Sequence, residues 1–156
     1  MRLVFNRLAS LLISVCVVIA SQLIFIAATE AVTQNFQWNG TTGYRVEGTL
    51  SYDKTIDNRV VSEKGAGLMK QLNSLQVKVY NPDDEVIGEY DNVVDGKSQN
   101  DYFELNLDPE SNKIVGNIDL GGAEPGELYL KGTVDGQLSL IEIKPSGKEH
   151  SVDRDF

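Results

Sequence analysis

The sequence predicts an all-β fold, an antiparallel β-sandwich preceded by an N-terminal apolar helix. Apolar and polar residues alternate with period two over most of the chain from Tyr44 onward. Turn-forming residues interrupt these runs at short, even intervals. No segment in that region keeps the 3.6-residue period of a helix. The pattern suits a jelly-roll or Ig-like arrangement, with a barrel as the alternative.

The first element is an export segment. Arg2 and Arg7 precede an uncharged stretch from Leu8 to Ala28, and the small-residue patch Ala27-Ala28-Thr29-Glu30-Ala31 leads into polar sequence. That order is the order of a secretory signal. The stretch is longer than the roughly 7–15 residues of a usual signal core and close to the roughly 20 that cross a bilayer. Residues 1–31 therefore read as a signal peptide or an N-terminal membrane anchor, with cleavage expected after Ala28 or Ala31. In both readings the two arginines hold the N-terminus in the cytoplasm and the rest is exported. The protein is then secreted or periplasmic, or tethered to the inner membrane by an uncleaved helix. Cys16 lies mid-core, with Val17-Val18-Ile19 after it, and reads as a small apolar residue of that helix.

The strands follow in order within a domain spanning 32–143. Tyr44, Val46, Gly48, Leu50 and Tyr52 share one face, and Arg45, Glu47, Thr49 and Ser51 the other. Asn39-Gly40-Thr41 matches a glycosylation acceptor but reads as the turn before this strand. Lys54–Asn73 is the longest break, a loop or short helix closing one end. Leu75, Val77 and Val79 alternate with Gln76, Lys78 and Tyr80, and Asn81-Pro82-Asp83-Asp84 turns the chain into Val86–Tyr90. Tyr102–Leu107 and Lys113–Leu120 form a second hairpin, with Phe103, Leu105, Leu107, Ile114, Ile118 and Leu120 facing inward. Glu127–Val134 and Gln137–Ile143 form a third around Asp135-Gly136. Residues 144–156 read as a polar flexible tail.

Composition narrows the function. The chain carries net charge −9, and loss of Arg2, Arg7 and Glu30 leaves the exported part more acidic still. Such a surface repels phosphate backbones, so nucleic acid is not an expected partner, and the only expected membrane contact is the N-terminal helix. The single cysteine lies in the export segment and the single histidine, His150, in the tail. The exported domain is thus expected to use no disulfide, no thiolate chemistry and no His-based triad.

Three constellations are candidates. Tyr80, Tyr102 and Tyr129 fall on the polar phase of their strands and are candidate ligand-binding residues for a polysaccharide or protein. Asp91, Asp95 and Asp101 are weak calcium candidates, because Val93 and Tyr102 stand where a strict calcium loop needs oxygen ligands. No cofactor is otherwise expected. The many acidic residues also leave a carboxylate pair of the glycosidase type open.

Several phrases resemble exported cyanobacterial proteins of the PEP-CTERM type: Gly48-Thr49-Leu50-Ser51-Tyr52-Asp53, Tyr80-Asn81-Pro82-Asp83, Tyr90-Asp91-Asn92-Val93-Val94-Asp95-Gly96 and Gly132-Thr133-Val134-Asp135. The resemblance covers most of Phe36–Ile143. It implies a β-rich exported domain with no known enzymatic activity. The family pattern ends in a Pro-Glu-Pro sorting signal, an apolar helix and a basic tail, whereas this chain ends Ser151-Val152-Asp153-Arg154-Asp155-Phe156. C-terminal sorting is therefore not expected to carry over. The sequence points to a non-enzymatic surface, matrix or ligand-binding module. The alternatives are a secreted hydrolase and a calcium-stabilised structural domain.

Overall fold

Among the described residues the fold has twelve strands: β1 (Ala31–Asn39), β2 (Arg45–Asp53), β3 (Val61–Lys64), β4 (Leu72–Tyr80), β5 (Val86–Val94), β6 (Lys97–Ser98), β7 (Glu104–Asp108), β8 (Lys113–Ile114), β9 (Asn117–Asp119), β10 (Leu128–Thr133), β11 (Leu138–Ile143) and β12 (Glu149–Arg154). This computed structural model describes residues 31–53, 60–122 and 124–155. The expected N-terminal helix, and with it the signal or anchor, lies outside the described residues. Among those residues no helix is long and apolar enough to cross a membrane.

The strands form two antiparallel sheets, and neither closes into a barrel. The first runs β1-β2-β4-β5-β6, and the second runs β12-β11-β10-β9-β7-β3 with β8 paired to β7. Alternation along each strand decides what goes inside. Phe36, Trp38, Val46, Leu50, Leu75, Val77 and Val79 from the first sheet join Phe103, Leu105, Leu107, Ile118, Leu130 and Leu140 from the second in one apolar core. Each such side chain contributes roughly 1.5–3 kcal/mol by leaving water. Gly48 stands opposite Phe36 because the ring lies across it, and a Cβ there would come within 2.1 Å of the ring.

The three expected hairpins form: β4 with β5, β7 with β8 and β10 with β11. Two segments depart from expectation. Lys54–Asn73 contains β3, which pairs with β7 at the edge of the second sheet, and no helix among its described residues. Its short Val-Ser-Glu-Lys alternation buries only Val61 and Glu63, so the periodic signal was too brief to stand out. The segment expected as a polar flexible tail contains a strand among its described residues. Glu149–Arg154 is strand β12, paired antiparallel with β11. The first strand was also silent in sequence, since β1 carries only Phe36 and Trp38 as buried apolar residues.

What holds β12 is Asp153, one of the few buried charged residues. Its carboxylate accepts the backbone N–H of Thr42 at 3.1 Å, of Tyr44 at 3.2 Å and of Arg154 at 2.8 Å, and the Thr41 hydroxyl at 3.3 Å. Thr41 N donates in turn to the Arg154 carbonyl at 2.8 Å. The turn between β1 and β2 is thereby tied to the last strand of the other sheet. Gly40 makes room for it, since a Cβ there would lie 2.1 Å from the carboxylate. Burial alone raises the cost of the charge, but the amide donors outweigh it and hold the Asp153 carboxyl below its ordinary value.

Two predictions follow from this contact. Asp153→Ala leaves the Thr42 and Tyr44 amides without their acceptor and is expected to lower unfolding free energy by about 2 kcal/mol, read from urea titrations. Because the folded carboxyl titrates below its unfolded value of about 3.9, its stabilisation is full above that pH. It is lost as pH falls through the folded value. Acid unfolding of the wild type should therefore be steeper than that of Asp153→Asn, and superimposable acid curves would refute the assignment.

Candidate functional site

The outer face of the first sheet is built by the polar phase of four strands. In register across it stand Asn35, Thr49, Gln76 and Asp91, with Gln37, Glu47, Lys78 and Glu89 one row away and Thr33, Ser51 and Ser74 on the other side. Period two places all of these opposite the core residues. Every one is uncharged and hydrogen-bonding, or belongs to a local pair. Gln76 Nε2 donates to Asp91 at 3.2 Å, the Ser51 and Ser74 hydroxyls lie 2.6 Å apart, and Lys78 meets Glu89 at 3.2 Å. An open groove of about 720 Å³ runs over Thr49, Ser51, Ser74, Gln76 and Asp91. A second groove, of about 530 Å³, lies along β1 against the Ser111–Lys113 turn and shares Thr49.

The three tyrosines are not brought together. Tyr80 ends β4 on this outer face, donating to Glu47 at 3.1 Å, and the Arg45 guanidinium lies 3.8 Å over its ring. Arg45 also pairs with Glu47 and Asp84. One face of the ring is thus occupied by a cation rather than open for stacking. Tyr102 precedes β7, in the other sheet. It is 42 % exposed and donates to Glu104 at 2.7 Å, with Lys64 3.1 Å from the same carboxylate. That hydrogen bond draws the Tyr102 phenol up and the Glu104 carboxyl down.

Tyr129 is buried, at 5 % exposure. It lies on the polar phase as expected, but that side of the second sheet is covered. Ile141 and Ile143 are buried beside it, and Gly122 packs against both Tyr129 and Ile143, where a Cβ would come within 2.8 Å. Its hydroxyl donates to Glu149 at 2.7 Å, and Lys131 shares that carboxylate at 2.8 Å. Burial, then Glu149, pushes the Tyr129 phenol far up. Alternation identifies the face of a strand but carries no information on whether another segment lies over it.

The calcium candidates do not converge either. Asp91 is exposed on β5 and bonded by Gln76, Asp95 sits at positive φ in the turn between β5 and β6, and Asp101 is exposed beyond β6. Among the described residues no three His, Cys, Asp or Glu side chains gather as a metal site would need. Carboxylate pairing gets no geometric support from the buried acids. Asp153 is committed to the first turn, and Glu63 accepts the N–H of Gln71 and, at 3.1 Å, of Leu72.

Four further polar contacts cross between the sheets. Gln34 Nε2 donates to the Pro109 carbonyl at 2.7 Å, and Leu128 N donates to the Tyr90 hydroxyl at 3.0 Å. Asn92 and Asn100 both donate to the Leu120 carbonyl, at 2.9 and 2.7 Å. Sequence reasoning did not find these residues, because a lone amide or tyrosine on an inward phase carries no pattern.

Compared with protein-family models, with curated proteins and with solved structures, the chain matches none. Thermal unfolding in calcium and in chelator is expected to give the same midpoint. A higher midpoint in calcium would reinstate the Asp91, Asp95 and Asp101 site.

Proposed function

We propose that this protein is an exported, non-enzymatic β-sandwich that binds a polyhydroxylated polymer, such as an extracellular polysaccharide, on the outer face of β1, β2, β4 and β5. The observation that carries the reading is the register row Asn35, Thr49, Gln76 and Asp91 with its flanking serines and threonine. Short hydroxyl, amide and carboxylate groups alternate there as donors and acceptors over an open groove. Sugar hydroxyls ask for that mixture. A neutral polymer is favoured over an anionic one, because the chain carries net charge −9. With Arg45 over Tyr80, recognition rests on hydrogen bonds rather than on ring stacking.

The export part rests on the basic, apolar, small-residue order of residues 1–31. The resemblance to PEP-CTERM-type exported proteins supports the same location. The non-enzymatic part is supported by Glu63 and Asp153, whose carboxylates are satisfied by backbone amides.

Affinity electrophoresis through gels containing neutral polysaccharides tests the binding. The wild type is expected to be retarded, and Thr49→Val combined with Gln76→Leu should weaken retention by about tenfold, the equivalent of about 1.4 kcal/mol. Equal mobility of wild type and variant across a panel of glucans and mannans would remove the reading. Fractionation tests the location. The chain is expected outside the cytoplasm, as a shortened soluble product or a full-length membrane-bound one, and a purely cytoplasmic product would refute export.

A further inference from the structure

Among the described residues a few large apolar or aromatic side chains stay exposed, and three of them, Leu68, Val94 and Tyr102, surround one loop. The loop is 65–69, between β3 and β4. Gly65 N donates to the Phe103 carbonyl, Ser98 N to the Gly67 carbonyl and Met69 N to the Gly96 carbonyl, each at 2.8 Å. Leu68 bridges to Lys97, which stands opposite Val94, and Tyr102 immediately precedes Phe103. Met69 packs on the core, yet Leu68 beside it is 82 % exposed. A loop bonded on both sides thus holds a leucine in water, where apolar surface is unfavourable.

This loop lies at the end of the sandwich where β1 begins. Ala31 stands opposite Asp53, Asp53 N donates to the Gln71 carbonyl at 3.4 Å, and Gly96 N donates to the Asn73 carbonyl at 2.7 Å. The start of β1, the 65–69 loop and the β5–β6 turn therefore share one end. In sequence, the uncharged stretch Leu8–Ala28 stops three residues before Ala31, a span of at most about 10 Å. Charge also distinguishes the two ends. The far turn, between β4 and β5, presents Asp83, Asp84 and Glu85. At the near end, Asp53 accepts from Asn73, and Glu104 accepts from Tyr102 and pairs with Lys64. Lys70 and Lys97 are exposed and enter no ion pair among the described residues, and they offset the exposed Asp95 and Asp101.

We propose that this end of the sandwich rests on the lipid bilayer that the N-terminal segment enters, with Leu68 and Val94 dipping below the headgroups and Tyr102, Lys70 and Lys97 at headgroup level. Aliphatic side chains gain by leaving water there, tyrosine suits the boundary, and lysine stems lie along apolar surface while their charges stay wet. The occupant is a bilayer because the apolar stretch 8–28 reaches this end and no other. Local charge balance lets the near end approach a headgroup layer that would repel the acidic far turn. The inference rests on the anchor form of the export reading. In this pose β1, β2, β4 and β5 stand up from the membrane by about 30 Å, and their polar outer face stays open to a polymer.

The test uses the full chain in vesicles of phosphatidylethanolamine and phosphatidylglycerol, with a fluorophore on one cysteine and nitroxide-labelled lipid as the quencher. The labelled sites are the native Cys16 and, in chains carrying Cys16→Ser, Ala66→Cys beside Leu68 and Asp83→Cys at the far turn. The labels at Cys16 and Ala66→Cys are expected to lose most of their emission, and the label at Asp83→Cys to keep it. Leu68→Asp with Val94→Asp should restore emission at Ala66→Cys at an unchanged thermal midpoint, because both side chains are already exposed. Quenching at Cys16 without quenching at Ala66→Cys would overturn the proposal and leave the anchor reading standing. No quenching at either site would overturn both. Quenching at Ala66→Cys that survives the double substitution, or that is matched at Asp83→Cys, would also overturn the proposal. A label at Ala66→Cys that shifts to the blue but is not quenched by the lipid would give the patch to a protein partner instead.

Discussion

The Asp153 carboxylate is the contact on which the arrangement of the two sheets most depends. The apolar core drives them together, but hydrophobic burial is non-directional and would accept a slid or rotated packing. A buried carboxylate taking amides from Thr42 and Tyr44 accepts one arrangement, since leaving it unpaired is costly. Glu63 does the same at the start of β4, and Asn92, Asn100, Gln34 and Tyr90 add neutral bridges elsewhere. The described residues contain no cysteine, so these directional contacts, not disulfides, fix the arrangement of the sheets.

This economy shapes where function can sit. Inward-facing acids are committed to backbone amides, and the second sheet's outer side is partly roofed by the turn around Gly122. The first sheet is left with a broad polar face, crossed by short hydrogen-bonding side chains and bounded at one edge by an uncharged strand. A surface of that kind suits a ligand that is itself extended and polar.

The alternation of Leu75–Tyr80, the Asn81–Asp84 turn and the Asp135-Gly136 turn were legible as hairpins because pattern and turn chemistry act within a few residues. The inward positions Phe103, Leu105, Leu107, Ile118 and Leu120 were legible for the same reason. β12 was not. Its sequence Glu-His-Ser-Val-Asp-Arg has the composition of a solvated tail, and it becomes a strand because β11 offers a ladder and the Gly40–Tyr44 turn offers donors to Asp153. Among the candidate site residues, the phases of Tyr80 and Tyr129 were right, while their placement on different sheets, the Arg45 cover and the burial of Tyr129 were invisible.

The sequence by itself determined the all-β class of the fold, the inward residues of the three hairpins, the acidic composition and the basic-apolar-small order of the N-terminal segment. Each depends only on residue type and local spacing. Tertiary structure decided which strands lie at the edges, which polar face is covered and which stays open, and what the buried carboxylates bond to. Those outcomes depend on contacts between residues far apart in the chain, such as Asp153 with Thr42, and no local pattern encodes them.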